Sequence, residues 1–211
     1  MGGVSIWCSI SVLVNLIYGI AGHGMMLEPP NRSSLWRFDK SAEPNYSDMG
    51  INCGGFGNQW KLHNGKCGVC GDAVQSPHPQ ENENGGKYGK GKIAKTYKPG
   101  STIDVHIKIT YNHIGHFTYS LCKLDNPNKP EAGEHCFKPL KLADGSASYK
   151  VKPEDKEVYN KVVLPNMTCK RCVLRWNWTV GNNWGTCKDG KGGKGCGPQE
   201  VFRNCADIAI V

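Results

Sequence analysis

The sequence predicts a mainly β protein: an antiparallel β-sandwich carrying a long, disulfide-stapled loop insertion. Three observations lead there. Ile103, Val105, Ile107, Ile109 and Tyr111 alternate with Asp104, His106, Lys108 and Thr110, the period of a strand with one buried face. Further short alternating stretches follow, separated by turn residues, as in a sandwich. Residues 28–92, by contrast, are rich in Pro, Gly, Asn and Cys and show no sustained helical period.

Taken in order, the chain opens on an apolar run from Val4 to Ile20, closed by the small pair Ala21–Gly22. The run reads as a secretory leader cut after Gly22, although Met1-Gly2-Gly3 offers only the α-amine as positive charge. A spanning helix needs roughly 20 apolar residues, and no basic cluster follows the run. The expected boundaries are therefore a leader over 1–22, removed on export, and a single domain over 23–211, extracellular and free of the membrane. Residues 28–92 are expected to be irregular with short helical turns, and the segment 76–82 an exposed loop. Strands are predicted at Ile103–Tyr111 and around Phe117, Tyr119 and Leu121, joined by the hairpin-type connection Asn112-His113-Ile114-Gly115-His116. Val158, Val162 and Leu164 mark another strand. In the next, Leu174, Trp176, Trp178 and Val180 share one face, and Phe202 with residues 206–211 marks the last. There is no internal repeat and no linker to a second domain.

Composition narrows the function. Of eleven cysteines, Cys8 lies in the leader and ten remain, an even count that predicts up to five disulfides in an exported chain. The pairs Cys67/Cys70 and Cys169/Cys172 lie too far apart for a compact zinc ribbon. Four sequons begin at Asn31, Asn45, Asn166 and Asn177, and the strand position of Asn177 argues against a glycan there. The net charge of +8 is concentrated in lysines at 87–98 and 188–194. With no nucleic-acid motif beside them, these read as solvated loops rather than a nucleic-acid surface. Acidic residues are present, but no spacing marks two of them as a glycoside-hydrolysing pair.

Seven histidines are the remaining signal. His106 falls on the polar face of its strand and is expected to be solvated. His63, His78 and His135 lie in polar loops without a partner at ligand spacing. His113 and His116 sit at a strand end, where functional side chains are often carried on a rigid scaffold. Cleavage after Gly22 makes His23 the first residue, and an N-terminal histidine offers its α-amine and its imidazole to one metal. The amine's reference pKa near 8 lets a metal displace its proton near neutral pH. One more imidazole, from His113 or His116, completes three nitrogens in a T, a tetragonal set suited to Cu(II) with positions left open.

The stretches His23-Gly24-Met25-Met26-Leu27-Glu28-Pro29-Pro30-Asn31-Arg32, Trp36-Arg37-Phe38, Asn52-Cys53-Gly54-Gly55, Asn112 to Phe117, Arg175 to Trp178 with Gly181 to Gly185, and Gly197 to Ile208 together span nearly the whole mature chain. In order and combination they resemble the lytic polysaccharide monooxygenases, and among them auxiliary-activity family fifteen. The resemblance implies an immunoglobulin- or fibronectin-III-like sandwich with a flat copper site near one end. It implies His23 and His113 as the copper-binding histidine brace, the Asn-His-x-Gly pattern choosing His113 over His116. It places Phe202 at the axial position and Trp178 behind the copper, with Tyr111 and His116 near the substrate. Tyr111 departs from the family pattern, which often has Ala there. The implied activity is copper-dependent oxidation at C1 or C4 of insoluble chitin or cellulose by a monomer. An external electron donor and O2 or H2O2 complete that reaction. The rival readings are a secreted polysaccharide-binding defence protein, a copper carrier, and a disulfide-rich structural or signalling protein.

Overall fold

The alternation at 103–111 forms a ten-residue strand, β3 (Thr102–Tyr111), whose Ile103, Val105, Ile107 and Ile109 are all buried. In the computed structural model, which describes residues 23–211, it is the centre of a three-stranded antiparallel sheet. Its neighbours are β1 (His23–Glu28) and β7 (Glu157–Val163). The expected leader, residues 1–22, lies outside the described residues.

The second sheet has the order β2-β11-β8-β4-β5, with β6 also pairing with β4. It is built from β2 (Lys95–Tyr97), β4 (His116–Lys123), β5 (Lys138–Leu140), β6 (Tyr149–Lys150), β8 (Cys169–Thr179) and β11 (Val201–Ile210). A separate hairpin pairs β9 (Trp184–Thr186) with β10 (Gly192–Lys194). The sheets face each other across one core. β1, β3 and β7 contribute Met26, Ile107 and Val162, and the larger sheet contributes Phe117, Leu174, Trp176, Trp178, Phe202 and Ile208. Burial of this apolar set is the main stabilising force of the sandwich.

The expected sandwich is therefore present, with one departure from antiparallel pairing. β2 runs parallel to β11, Ile208 opposite Lys95. The chain reaches β2 out of the long insertion, so it can add to the free edge of β11 in either direction; the Ala94 N–H bond to Asp207 O begins the ladder. Five short strands, β2, β5, β6, β9 and β10, are too brief to show a period.

Between β1 and β2 the chain carries only two short helical turns, Leu35–Arg37 and Gly57–Leu62. All ten expected cysteines are paired: Cys53–Cys67, Cys70–Cys205, Cys122–Cys136, Cys169–Cys172 and Cys187–Cys196. The Cys70–Cys205 bridge ties the insertion to β11, over the outer face of the larger sheet. Val69, Cys70, Leu124, Phe137 and Val173 form a second apolar cluster there. β8 is consequently buried on both faces, and even Arg175 is only 8% exposed, its guanidinium 3.9 Å above the Phe137 ring.

The insertion is irregular and disulfide-held, with short helical turns, as its composition implies. Its interior is polar and bonded. Arg32, 4% exposed, donates to both oxygens of Asp207 (2.9 and 2.8 Å), to Glu131 (2.7 Å) and to Asn82 O (2.8 Å). Burial alone would lower the Arg32 pKa, but Asp207 and Glu131 more than offset it and hold it well above the ordinary value. Within the segment expected to be exposed, Gln80 and Asn82 are buried. The Gln80 amide nitrogen bonds Ala73 O, and Asn82 bonds the Asp72 carboxylate, because each supplies a partner that an irregular backbone needs. His78 meets Glu83 at 2.7 Å. His106 is likewise not free in solvent: it contacts Glu157 at 2.5 Å and stacks on Tyr159 at 4.4 Å, both from the adjacent strand β7.

Removing one member of a buried ion cluster leaves the others uncompensated, a loss of about 3–5 kcal/mol. Arg32→Met should therefore lower the free energy of unfolding by about that amount in a denaturant titration, since buried Glu131 loses its ion-pair partner and Asp207 keeps only Arg171, at 3.8 Å. A change under about 1 kcal/mol would mean that the cluster does not hold the insertion to the sandwich.

Candidate copper site

Antiparallel register places the candidate residues at one pole. β1 starts with His23 opposite Tyr111, the last residue of β3, and His113 follows two residues later. A register shift between His23 and Gly24 lets the first residue leave the regular ladder. His23 is braced from the insertion: Gly24 N–H donates to Met49 O at 3.0 Å, and a β-carbon on Gly50 would lie 3.8 Å from the His23 ring. The Asp48 carboxylate is buried and held by Arg37 at 2.6 and 2.9 Å, which fixes the 47–50 turn against the histidine.

The connection carrying His113 is rigid. Asn112 donates to Lys152 O and Asp155 O (2.8 and 2.9 Å) and accepts from Ile114 N–H at 2.7 Å. Ile114 and Gly115 both take left-handed conformations, φ 48° and 90°. A β-branched residue there is strained, and its neighbours hold it: Trp178 Nε1 donates to Ile114 O at 2.7 Å, and Gly181 N–H donates to His113 O at 2.9 Å. Gly115 is required twice over, since its φ is positive and a β-carbon would lie 2.1 Å from Thr179 O.

His113 is 7% exposed, and its Nδ1 is buried without a hydrogen-bond partner. Burial, then the charges of His23 and Lys194, hold its pKa below the ordinary value, so the ring is neutral at pH 7 and its nitrogen lone pair is available. Such a buried, unpartnered ring nitrogen is one that a metal ion would satisfy. Two imidazoles, with one amine if the chain is cut before His23, would form an all-nitrogen set that suits Cu(II). The residues fit the metal that the sequence points to.

Tyr111, 44% exposed, meets His113 edge-on with ring centroids 5.4 Å apart. Trp178 is fully buried beneath β1, where a β-carbon on Gly24 would lie 3.2 Å from its ring. Phe202, opposite Trp178 in register, is also fully buried, with its ring 5.3 Å away. His116 is exposed at the start of β4, opposite Thr179 and Lys150, since the buried Phe117 turns its neighbour outward.

Sequence reasoning missed the β9–β10 hairpin. It is closed by Cys187–Cys196 and anchored by the Gln199 amide, which bonds both the N–H and the carbonyl of Asn183. It presents Trp184, 76% exposed, directly across from Lys194, the lysine whose charge reaches His113. The Trp184 ring lies over Gly192, where a β-carbon would come within 3.0 Å. In the sequence Trp184 stands out only within the Gly181–Gly185 stretch of the resemblance, because nothing in its local pattern foretells the hairpin. Glu200, also unforeseen, lies at the same strand ends. Its carboxylate accepts from Asn52 at 2.9 Å, and burial raises its pKa.

The family described as lytic polysaccharide mono-oxygenase, cellulose-degrading, matches residues 23–208. Among solved structures, the chain is 48% identical to an AA15 lytic polysaccharide monooxygenase from Thermobia domestica in the Cu(I) state. That match has a TM-score of 0.86 and covers 89% of this chain and 98% of that one. A chitin-binding domain from Burkholderia pseudomallei is 15% identical with a TM-score of 0.53, over 90% of this chain and all of that one (100%). A cellulose-active lytic polysaccharide monooxygenase in complex with copper is 16% identical with a TM-score of 0.51, over 90% and 99%. These last two share the fold. No curated protein matches the chain.

Because Gly115 sets the path of the His113 loop, Gly115→Ala should lower the melting temperature and weaken copper binding together. Thermal scans with and without Cu(II), and a copper titration by calorimetry, would show it. Unchanged copper affinity would mean that the loop's backbone is not what positions His113.

Proposed function

Since the chain belongs to the lytic polysaccharide mono-oxygenase family, we propose that its processed form, beginning at His23, is secreted and oxidises chitin or cellulose at C1 or C4. It is a copper-dependent oxidoreductase acting on polysaccharide. The proposed form is a single domain, residues 23–211, that works as a monomer outside the cell. Among the described residues no helix is long and apolar enough to cross a membrane.

The reading is carried by one observation: the β1–β3 register delivers His23 beside Tyr111, two residues from His113. His23, through its amine and ring, and His113, through its ring, are the proposed copper ligands. Copper, when bound, supplies redox chemistry that uses an external electron donor and O2 or H2O2 to hydroxylate a glycosidic carbon, after which the bond breaks by elimination.

The chain's own residues bind, orient and exclude water. Trp178 and Phe202, both fully buried with rings 5.3 Å apart, are the proposed apolar residues beneath the copper and would offer it no strong ligand. Tyr111 shields one side of His113. Trp184 and Lys194, on a stapled hairpin, offer an aromatic face and a cation to a polysaccharide, the ring stacking on a sugar's apolar face while the lysine reaches hydroxyls. The family description as cellulose-degrading supports cellulose as one substrate.

Two measurements test this. Copper-loaded protein given ascorbate with β-chitin or with cellulose should release oxidised oligosaccharides, read by mass spectrometry. His113→Ala should release none while keeping its fold by circular dichroism. No soluble products, with copper confirmed bound, would point to a binding or carrier protein, and soluble products lacking oxidation would point to hydrolysis; either result overturns the reading. Separately, one extra residue ahead of His23 removes the free amine from the donor set. Copper affinity should fall by at least about 100-fold, the loss of roughly 3 kcal/mol of ligation. Equal affinity in the extended form would remove His23 from the site.

A further inference from the structure

Of the four sequons, two are buried and a third is half-buried within a central strand. Asn31 is 1% exposed and its Nδ2 donates to Met26 O at 2.8 Å and to Asn204 at 3.2 Å. Asn45 is 8% exposed, its Nδ2 donating to Ser33 Oγ at 3.0 Å and its Oδ1 accepting from Ser47 N–H. Asn177 lies inside β8, flanked by β4 and β11. Its Nδ2 donates to Thr179 Oγ1 at 3.3 Å and its Oδ1 accepts from Arg203 at 2.8 Å. The fourth, Asn166-Met167-Thr168, differs. Asn166 and Thr168 are both exposed in the turn between β7 and β8, while Met167 packs against the core and holds the turn in place.

We infer that Asn166 is the one N-glycosylated residue of the folded, exported protein. The inference rests on the proposed export through a glycosylating pathway. In that reaction the Asn166 Nδ2 gives up a proton and forms a bond to the anomeric carbon of an N-acetylglucosamine-initiated oligosaccharide. The bond from that carbon to a lipid diphosphate breaks, and the diphosphate leaves with the electron pair. Transfer occurs on the unfolded chain, so the buried sequons can be met by the same donor. A sugar on Asn31 or Asn45, however, displaces buried hydrogen bonds and has no room in the packed insertion. Such chains do not complete the fold and do not appear among folded molecules.

Position favours the same residue. The copper pole is formed by the Thr179 end of β8, and Asn166 sits three residues before Cys169, at the other end. The strand between spans ~33 Å at the usual rise per residue. A glycan there leaves the polysaccharide face free. It overhangs a groove lined by Leu121, Pro139, Leu140, Pro165 and Met167, covering apolar surface at a pole where no substrate is expected.

The test uses two versions of the chain in a eukaryotic secretory host, one with residues 1–22 and one with an unrelated secretory leader fused directly before His23. Secreted protein is treated with a peptide N-glycosidase in heavy-oxygen water, and modified asparagines are read by mass spectrometry. Both versions should carry label at Asn166 alone, and Asn166→Gln should lose the glycan's gel shift while keeping copper binding and polysaccharide cleavage. Unlabelled Asn166 in secreted protein, or label at Asn31, Asn45 or Asn177 in folded material, would overturn the inference. Retention of only the first version inside the cell would count against residues 1–22 as a leader. The second version still decides Asn166.

Discussion

The pairing of β1 with β3 is the constraint on which the site depends. It is one edge of a small sheet, and its register sets His23 opposite Tyr111. A slip of one residue would exchange the two faces of β1. Met26, fully buried in the core, would turn outward, and His23 would lose both Tyr111 and the 47–50 turn. The apolar core therefore enforces the chemistry indirectly. The same burial that stabilises the sandwich forbids the register that would scatter the histidines.

The rest of the architecture limits how that pole can move. The insertion holds His23 from one side through the Arg37–Asp48 pair, and it is itself fixed to β11 by Arg32 on Asp207 and by Cys70–Cys205. The Asn112 bonds and the left-handed Ile114–Gly115 pair hold His113 from the other side. Strain at Ile114 persists only because its neighbours over-determine it. The hairpin bearing Trp184 is held by a disulfide and by Gln199 rather than by the core. Its surface can therefore differ without altering the candidate copper ligands.

Sequence pattern revealed the long elements and the chemistry, and missed what depends on contacts between distant segments. Ile103–Tyr111 and Leu174–Val180 carry enough alternation to be read as strands, because one face of each meets the core. Strand β1 is only six residues long and begins where the expected leader ends, so its period was hidden by the export signal. The insertion reads as irregular because Pro, Gly and Asn are turn formers, and that pattern hides how many of its side chains are buried. Its order comes from side chains bonding backbone groups that no ladder satisfies. His23 and His113 were legible as candidates for another reason. An N-terminal histidine and the Asn-His-x-Gly pattern are local signals, whereas Trp184 and Lys194 acquire meaning only when the hairpin folds.

Under the proposed function, a single peptide bond separates an inert chain from an active one. While residue 22 remains attached, the nitrogen of His23 is an amide, whose lone pair is delocalised and which cannot serve as the third donor. Two imidazoles alone are a poor copper site. Cleavage creates an amine at the point where β1 already presents it, and the fold needs no rearrangement to use it. The strands, the insertion and the Gly115 loop thus share one task, which is to hold an ordinary chain terminus rigid and half-buried. Termini elsewhere in proteins fray. This one is the first residue of a paired strand, hydrogen-bonded through its carbonyl to Thr110 and packed against Gly50, so its donors are ordered before any metal arrives. Ordering the ligands in advance removes an entropic penalty that a flexible N-terminus would impose on binding.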